Sequence, residues 1–256
     1  MRQLSQQSGH SRDKLYRIIN YWLSKEPYQS EATLEQCRYL IFDGTFCHRP
    51  ISIIALMDAD TNSIIYGKYG VSENSERQLI SFFKPLVANG LNPINCTVDG
   101  NPQAIRVLRA LWPEMIIQRC LVHIQRQGLM WCRRYPKMAY ARKLRDIFLS
   151  ITNVRSEEEA NNLLESIFQW EEQYGRYIQM KLEKGRVFSD IKRARSMLLK
   201  ALPDMFHYLD DPNITFSTNG LEGYFSRLKG HYRQHRGLRK NKLDSYFNWY
   251  FYYRPK

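Results

Sequence analysis

Apolar residues between positions 38 and 120 fall into short strand-like runs, separated by turn residues and by two stretches with helical spacing. Runs rich in β-branched residues and bounded by glycine, proline or asparagine are typical of strands, whereas apolar residues three and four apart indicate a helix. Strands are therefore predicted at residues 38–47, 51–57, 63–71, 94–99 and 115–119. One helix is predicted before the fourth strand and another before the fifth.

The order of these elements indicates an α/β fold. Ser75 is expected to cap the first of the two helices, and Pro113 to end the second. Three meandering strands followed by helix, strand, helix and strand is the order of a ribonuclease H-like core, which would occupy residues 38–120. That fold carries catalytic carboxylates on its first and fourth strands.

Helical spacing replaces strand spacing after residue 120. Glycine becomes scarce, and apolar residues recur as in Leu144, Ile147, Phe148 and Ile151. This pattern predicts an all-helical insertion over residues 121–210. Residues 211–256 are then expected to contain the last helix of the core, followed by a basic and aromatic tail.

The first 24 residues have the spacing of a helix-turn-helix. A short helix, a turn at Gly9 and a second helix capped by Ser11 are predicted, with Ser5 at the position where that motif favours a small residue. Lys14 and Arg17 on the second helix would then contact DNA. An ordinary pair of antiparallel helices fits the same residues. The polar segment 25–37 is expected to be a linker.

The charge of the chain indicates a polyanionic partner. Its 38 Lys and Arg residues exceed its 25 Asp and Glu residues, which gives 256 residues a formal charge of +13. Nucleic acid is the commonest partner of such a basic protein. No apolar run reaches the roughly 18 residues of a membrane span, and the five cysteines lack CxxC spacing. We therefore expect a cytoplasmic, nucleoid-associated protein that binds double-stranded DNA and no membrane.

Two of the predicted strands lead into an Asp-Gly pair, at Asp43 and at Asp99. A buried carboxylate is costly unless a cation lies beside it or the site is open to water. Carboxylates at corresponding ends of two strands would lie side by side, as hard oxygen ligands suited to magnesium. Because Asp-Gly also marks turns, either pair alone is a weak signal.

Glu222 is the candidate for a third carboxylate. It follows Asn219 at the start of a predicted helix, and Lys229 lies two turns further along the same face, with Arg227 nearby. A carboxylate and a cation along one helix face suit a metal ion next to a phosphodiester. The Asn219–Glu222 spacing is also that of a capping box, in which the carboxylate only accepts a backbone hydrogen bond.

Cys120 and His123 directly follow the fifth predicted strand. One cysteine and one histidine make half of a zinc site, and only Cys132 is nearby as a third ligand, so zinc binding is disfavoured. His123 is expected near the metal or a DNA phosphate, with a hydrogen-bonded buried pair as the alternative.

Two basic clusters lie among aromatic residues, one between Arg126 and Arg145 and the other in the tail, where it includes Arg233 and Arg236. Such clusters are often only solvated surface. Their aromatic neighbours and the net charge favour a path for DNA.

Together these motifs resemble those of bacterial insertion-sequence transposases of the mutator type, within the wider class with an Asp-Asp-Glu triad. The resemblance rests on residues 42–46, on Asp99-Gly100, on Cys120-x-x-His123 and on residues 217–229, and it extends over about residues 38–253. Family members have further DNA-binding sequence upstream of a helix-turn-helix. This chain begins at that motif, so it is expected to be truncated at its amino terminus.

The resemblance implies two-metal phosphoryl transfer. Asp43, Asp99 and Glu222 would bind Mg²⁺, replaceable by Mn²⁺, for strand cleavage and for strand transfer into target DNA. His123 and Lys229 would hold the scissile phosphate or flanking DNA, and two transposon ends would be paired by a homodimer or larger assembly. The alternative function is a non-catalytic DNA-binding remnant or regulator derived from a transposase.

Overall fold

A mixed sheet forms the centre of the α/β part of the molecule. The computed structural model describes residues 1–27, 34–49, 51–180, 186–234 and 237–256. The strands are β1 Tyr39–His48, β2 Ile51–Asp58, β3 Ser63–Val71, β4 Asn95–Val98 and β5 Ile116–Arg119. They form a five-stranded sheet in the order β3-β2-β1-β4-β5.

β1 is the central strand, antiparallel to β2 and parallel to β4. β2 and β3 form a hairpin whose turn contains Asn62 in the left-handed region, at a φ of 55°. β4 and β5 pair in parallel. The three-strand meander followed by helix, strand, helix and strand is thus the order predicted from the sequence.

Helices make up most of the remaining described residues. They are α1 Arg2–Ser8, α2 Arg12–Trp22, α3 Glu76–Ala88, α4 Pro102–Leu111, α5 Leu121–Cys132, α6 Ala139–Ser150, α7 Glu157–Trp170, α8 Arg176–Met180, α9 Arg186–Ala201, α10 His207–Asp210, α11 Asn219–Arg233 and α12 Leu243–Tyr253. Ser11 and Ser75 cap α2 and α3 as predicted, each accepting a backbone hydrogen bond. In the described part of the chain, no helix combines the length and apolar character needed to cross a membrane.

The buried apolar residues form three clusters. On one face of the sheet, Phe42 packs with Phe82 and Phe83 of α3. On the other face, Ile41 belongs to a cluster with residues of α11 and α12. The third cluster lies mostly within α5 to α9 and is built from residues between Leu121 and Met205. The helical segment thus has a core of its own.

The second amino-terminal helix contacts the last helix of the chain. Gly9 ends α1 at a φ of 67°, as a left-handed turn requires, and Leu15 is the buried residue of α2. The rings of Trp22 and Trp249 meet edge to face with their centroids 5.7 Å apart. The indole N–H of Trp249 also donates to the Trp22 carbonyl at 2.9 Å. These contacts connect the end of α2 to α12. The predicted linker falls partly on residues 28–33, which lie outside the described residues.

Two helical glycines provide a test of the packing between α5 and α6. A Cβ at Gly128 of α5 would overlap the buried ring of Phe148, whereas a Cβ at Gly230 of α11 would meet nothing within 4 Å. Alanine favours a helix over glycine by about 1 kcal/mol, so Gly230→Ala should raise the free energy of unfolding by up to that amount. Gly128→Ala should lower it by about 1–3 kcal/mol because the ring must move.

Urea denaturation followed by circular dichroism measures both changes, with Gly230→Ala as the matched control. If both variants gained stability equally, the close approach of α5 to Phe148 would be wrong.

Candidate metal centre

Asp43 and Asp99 lie side by side where β1 and β4 stop pairing. The parallel register pairs Phe42 with Val98, and each Asp is the next residue in its chain segment. β4 ends there, whereas β1 continues past Asp43 to His48, close to the predicted strand over residues 38–47. Asp43 therefore lies within the central strand rather than at its end, and it is only 5% exposed.

Glu222 and His123 approach Asp43 from two helices. Glu222 is in the first turn of α11 and His123 in the first turn of α5. Side chains alternate along a strand, so Asp43 shares the sheet face of Ile41, which packs in the same cluster as α11. One ligand atom from each of Asp43, His123 and Glu222 lies within 4.8 Å of the other two. Asp99 is outside this group, although its charge acts on Asp43 and His123.

Burial and like charges act on the central carboxylate. Burial, and next the negative charge of Asp99, raise the pKa of Asp43 to about 7, while His123 opposes the shift. The Gly44 N–H donates to the Asp43 carboxylate at 2.8 Å. In the described ranges, no Lys or Arg forms an ion pair with Asp43, which fits a side chain that binds an added cation.

Glu73 is a fourth carboxylate at this site, and the sequence pattern did not indicate it. It lies between β3 and α3, and its carboxylate occupies the space that a Cβ at Gly44 would need. Burial, followed by repulsion from Asp99 and Asp43, raises its pKa to about 7. Unlike Asp43 and Asp99, Glu73 does not directly follow an apolar run, because Ser72 separates it from β3. The sequence signal that could have indicated a further side chain here was Gly44, because a glycine beside a buried Asp lets another side chain approach the strand closely.

His123 is held on its other side by Cys120. Its Nδ1 is 3.3 Å from the Cys120 sulfur, which also accepts a hydrogen bond from the Thr218 N–H at 3.3 Å. The hydrogen bond with Cys120 raises the pKa of His123 to about 9, against the effect of burial. Its Nε2 lies 3.2 Å from Glu222. Cys120 and His123 thus form a hydrogen-bonded pair that also reaches the carboxylate group.

Cations surround Glu222 and the end of β1. Arg126 of α5 contacts the Glu222 carboxylate at 3.1 Å, an ion pair that the sequence did not indicate. Lys229 donates to Thr45, two residues beyond Asp43. Arg233 follows one turn later on α11, exposed, and its charge reaches Cys47 of β1. Lys229 and Arg233 therefore line the strand beyond Asp43.

The other predicted DNA-binding residues lie apart from this group. Arg227 is exposed over the ring of Tyr224, at 5.8 Å, and no contact with Glu222 is described for it. Lys14 and Arg17 are exposed on α2. Arg236 lies outside the described residues.

The donor set fits a hard divalent cation. Asp43, Glu73, Asp99 and Glu222 supply carboxylate oxygens, the ligands that magnesium prefers. A dication would offset the repulsion that disfavours the ionised form of Asp43. The buried sulfur of Cys120 is already bonded to His123 and Thr218, and it is not part of the group formed by Asp43, His123 and Glu222.

Comparison with known families gives one match. The family profile described as "Transposase, Mutator family" matches residues 32–195. This span includes Asp43, Asp99 and Cys120-x-x-His123, and it ends before Glu222. Among curated proteins, none matches the chain.

The buried charge of Asp43 should reduce stability in a pH-dependent way when divalent cations are absent. Its pKa in the folded protein is about 7, above the ordinary 3.8. Between those values the folded state holds a proton that the unfolded state has lost, so the contribution of Asp43 to stability falls as pH rises through this window. Asp43→Asn keeps the shape and removes the charge. The variant should match wild type near pH 4 and exceed its free energy of unfolding by on the order of 4 kcal/mol above pH 7, since each pKa unit is worth about 1.4 kcal/mol.

Urea denaturation in EDTA across this pH range provides the measurement. Equal stability of the two proteins at pH 8 would mean that the Asp43 charge is already neutralised by the protein.

Proposed function

We propose that this chain, which belongs to the Mutator family of transposases, cleaves and joins DNA strands with divalent cations bound between β1, β4 and α11. The family implies a DNA-processing enzyme with DNA as its substrate. The observation that carries the finer proposal is the approach of Asp43 and Glu222, together with His123, to within 4.8 Å of one another. Asp99 joins the proposed ligands because it directly follows the end of β4 and its charge acts on Asp43. The order of strands and helices supports a ribonuclease H-like core as the framework.

Asp43, Asp99 and Glu222 are the proposed ligands of Mg²⁺, with Mn²⁺ as a substitute and Glu73 as a fourth candidate. Bound ions would supply Lewis-acid activation of the attacking oxygen and stabilise the leaving oxygen of an in-line displacement. The protein itself concentrates negative charge on a strand that excludes water. A carboxylate in such a setting attracts a cation more strongly than one in water does.

The cations around the carboxylates are the proposed contacts for the DNA backbone. With a pKa raised to about 9, His123 carries a positive charge near neutral pH, next to Glu222. Arg126 balances the Glu222 charge in this structure and would become available to a phosphate once a metal ion takes its place. Lys229 and Arg233 would continue the contacts along β1, since phosphate oxygens are the usual partners of such side chains.

The amino-terminal helix pair is the proposed site of double-stranded DNA recognition. Its turn and capping follow the predicted helix-turn-helix spacing, and Lys14 and Arg17 are exposed on the second helix. Joining two transposon ends to one target would need at least two copies of the chain, so we also propose assembly on DNA.

Metal-dependent strand cleavage and joining tests the catalytic proposal. On DNA that carries the element's own ends, wild type should act with Mg²⁺ or Mn²⁺ but not in EDTA. Asp43→Asn, Asp99→Asn and Glu222→Gln should each lower the rate by at least about a hundredfold, because each removes a proposed ligand. Glu73→Gln should lower it less and raise the Mg²⁺ concentration needed for half-maximal rate.

Asp60→Asn is the matched control, because Asp60 is an exposed carboxylate in the hairpin turn after β2. It should leave the rate unchanged. DNA binding that persists in all variants, together with a wild type inert in either metal, would favour the non-catalytic DNA-binding alternative.

The salt dependence of DNA binding tests the helix pair. If Lys14 and Arg17 contact phosphates, each Ala variant should reduce the slope of log K against log salt by about 0.9. Fluorescence anisotropy on duplex DNA between 50 and 200 mM salt, roughly the range over which such contacts change affinity, gives the slopes. Slopes identical to that of wild type would show that Lys14 and Arg17 of α2 do not contact DNA phosphates. Arg176→Ala, on α8 of the helical segment, is the matched control.

A further inference from the structure

The longest acid-free stretch of the chain leads away from the proposed catalytic site. Residues 115–145 contain no Asp or Glu and eight Lys or Arg residues. The stretch includes β5 and α5 and extends into α6. This one stretch therefore carries a charge of +8, more than half of the net charge of +13.

One face of α5 connects the carboxylates to the turn that follows the helix. His123 and Arg126 contact Glu222. Met130, seven residues after His123 and on the same helix face, is 63% exposed. From Arg126 to Cys132, the last residue of α5, a rise of about 1.5 Å per residue gives about 9 Å. A nucleic-acid strand would cover this distance in about three steps of roughly 3.4 Å, and the turn with Arg134 follows directly.

The turn after α5 carries an exposed ring among arginines. Arg133 ends the helix at φ 67° and ψ 167°, a backbone region that non-glycine residues rarely adopt. Tyr135 is 79% exposed, the highest value among the exposed large hydrophobic residues described. The Arg134 guanidinium lies over its ring at 5.3 Å. In the described ranges, no second aromatic ring stacks on Tyr135.

Tyr135 also lines a cleft of about 360 Å³. The residues around the cleft are Arg134, Tyr135, Pro136, Arg142, Arg145 and Asp146. Three arginines against one carboxylate make this a positively charged surface with an open aromatic face. A duplex backbone needs only the cations, whereas the exposed ring adds a site on which the π-face of an unpaired base stacks.

We infer that the turn between α5 and α6 is a stacking platform, formed by Tyr135 and Arg134, for an unpaired base of the DNA strand that leaves the catalytic site. The inference rests on the proposed function for its DNA substrate, but it does not depend on catalysis. The platform would hold a base at least about three nucleotides from the position that contacts Arg126. Unpairing at that distance would distinguish a processed end from intact duplex.

Anisotropy titrations in EDTA test this without strand cleavage. The probes are a labelled oligo(dT) and a labelled duplex of the same length. Tyr135→Ala should weaken oligo(dT) binding at least about fivefold, the smallest effect typical of losing one base–aromatic stack. Duplex binding should change less than twofold. Tyr135→Phe keeps a ring and should retain affinity for both probes.

Phe168→Ala is the matched control, since Phe168 is 62% exposed on α7, which begins with three glutamates. It should bind both probes as wild type does. Unchanged oligo(dT) binding by Tyr135→Ala, or equal losses on both probes, would overturn the platform while leaving strand cleavage intact. A wild type that cleaves no DNA in either metal but still shows the Tyr135 effect would overturn the catalytic proposal and leave the platform supported. Circular dichroism confirms that each variant is folded.

Discussion

A carboxylate buried within the central strand is the constraint on which the rest of this site depends. Asp43 pairs with Ala55 of β2 and directly follows Phe42, the last residue of β1 that pairs with β4, so its backbone cannot move toward water without disrupting the sheet. Asp99, Glu73 and Glu222 all add negative charge to its surroundings. The arrangement is unfavourable on its own account, and the dication proposed above would offset the repulsion. On that proposal, local stability is given up in exchange for affinity for a metal ion.

The surrounding elements serve to keep that charge in place and partly balanced. α11 brings Glu222 over the sheet, and α5 brings His123 and Arg126 against Glu222 from the other side. α5 belongs to the core of the helical segment, whereas α11 belongs to a core on the sheet. Two independently packed cores therefore meet at one carboxylate. The bond from Thr218 to Cys120 connects the loop before α11 to the start of α5 and fixes this meeting.

The sequence was sufficient to predict the helices and strands, and those functional residues whose identity depends only on their neighbours in the chain. The β3 bounds, both amino-terminal helices and the caps at Ser11 and Ser75 follow from apolar spacing and capping chemistry. The proximity of Asp43 and Asp99 followed from the sequence because each Asp directly follows an apolar run, and those two runs pair in parallel up to Phe42 and Val98. Glu73 and the contact of Arg126 could not be predicted from the sequence, because both depend on how segments distant in the chain pack together in the fold. The same is true of Arg227, where a step of five residues from Glu222 leads to another face of the helix.

The contact between Trp22 and Trp249 defines the distance between the amino-terminal helix pair and the carboxylates. It joins the end of α2 to α12, and α12 packs on the sheet that carries Asp43. If the first two helices bind DNA as proposed, that DNA would reach the carboxylates at a set number of base pairs from the bound sequence. The position of cleavage would then be determined by the sequence that the helices recognise, with no contact to the bases at the cleavage site.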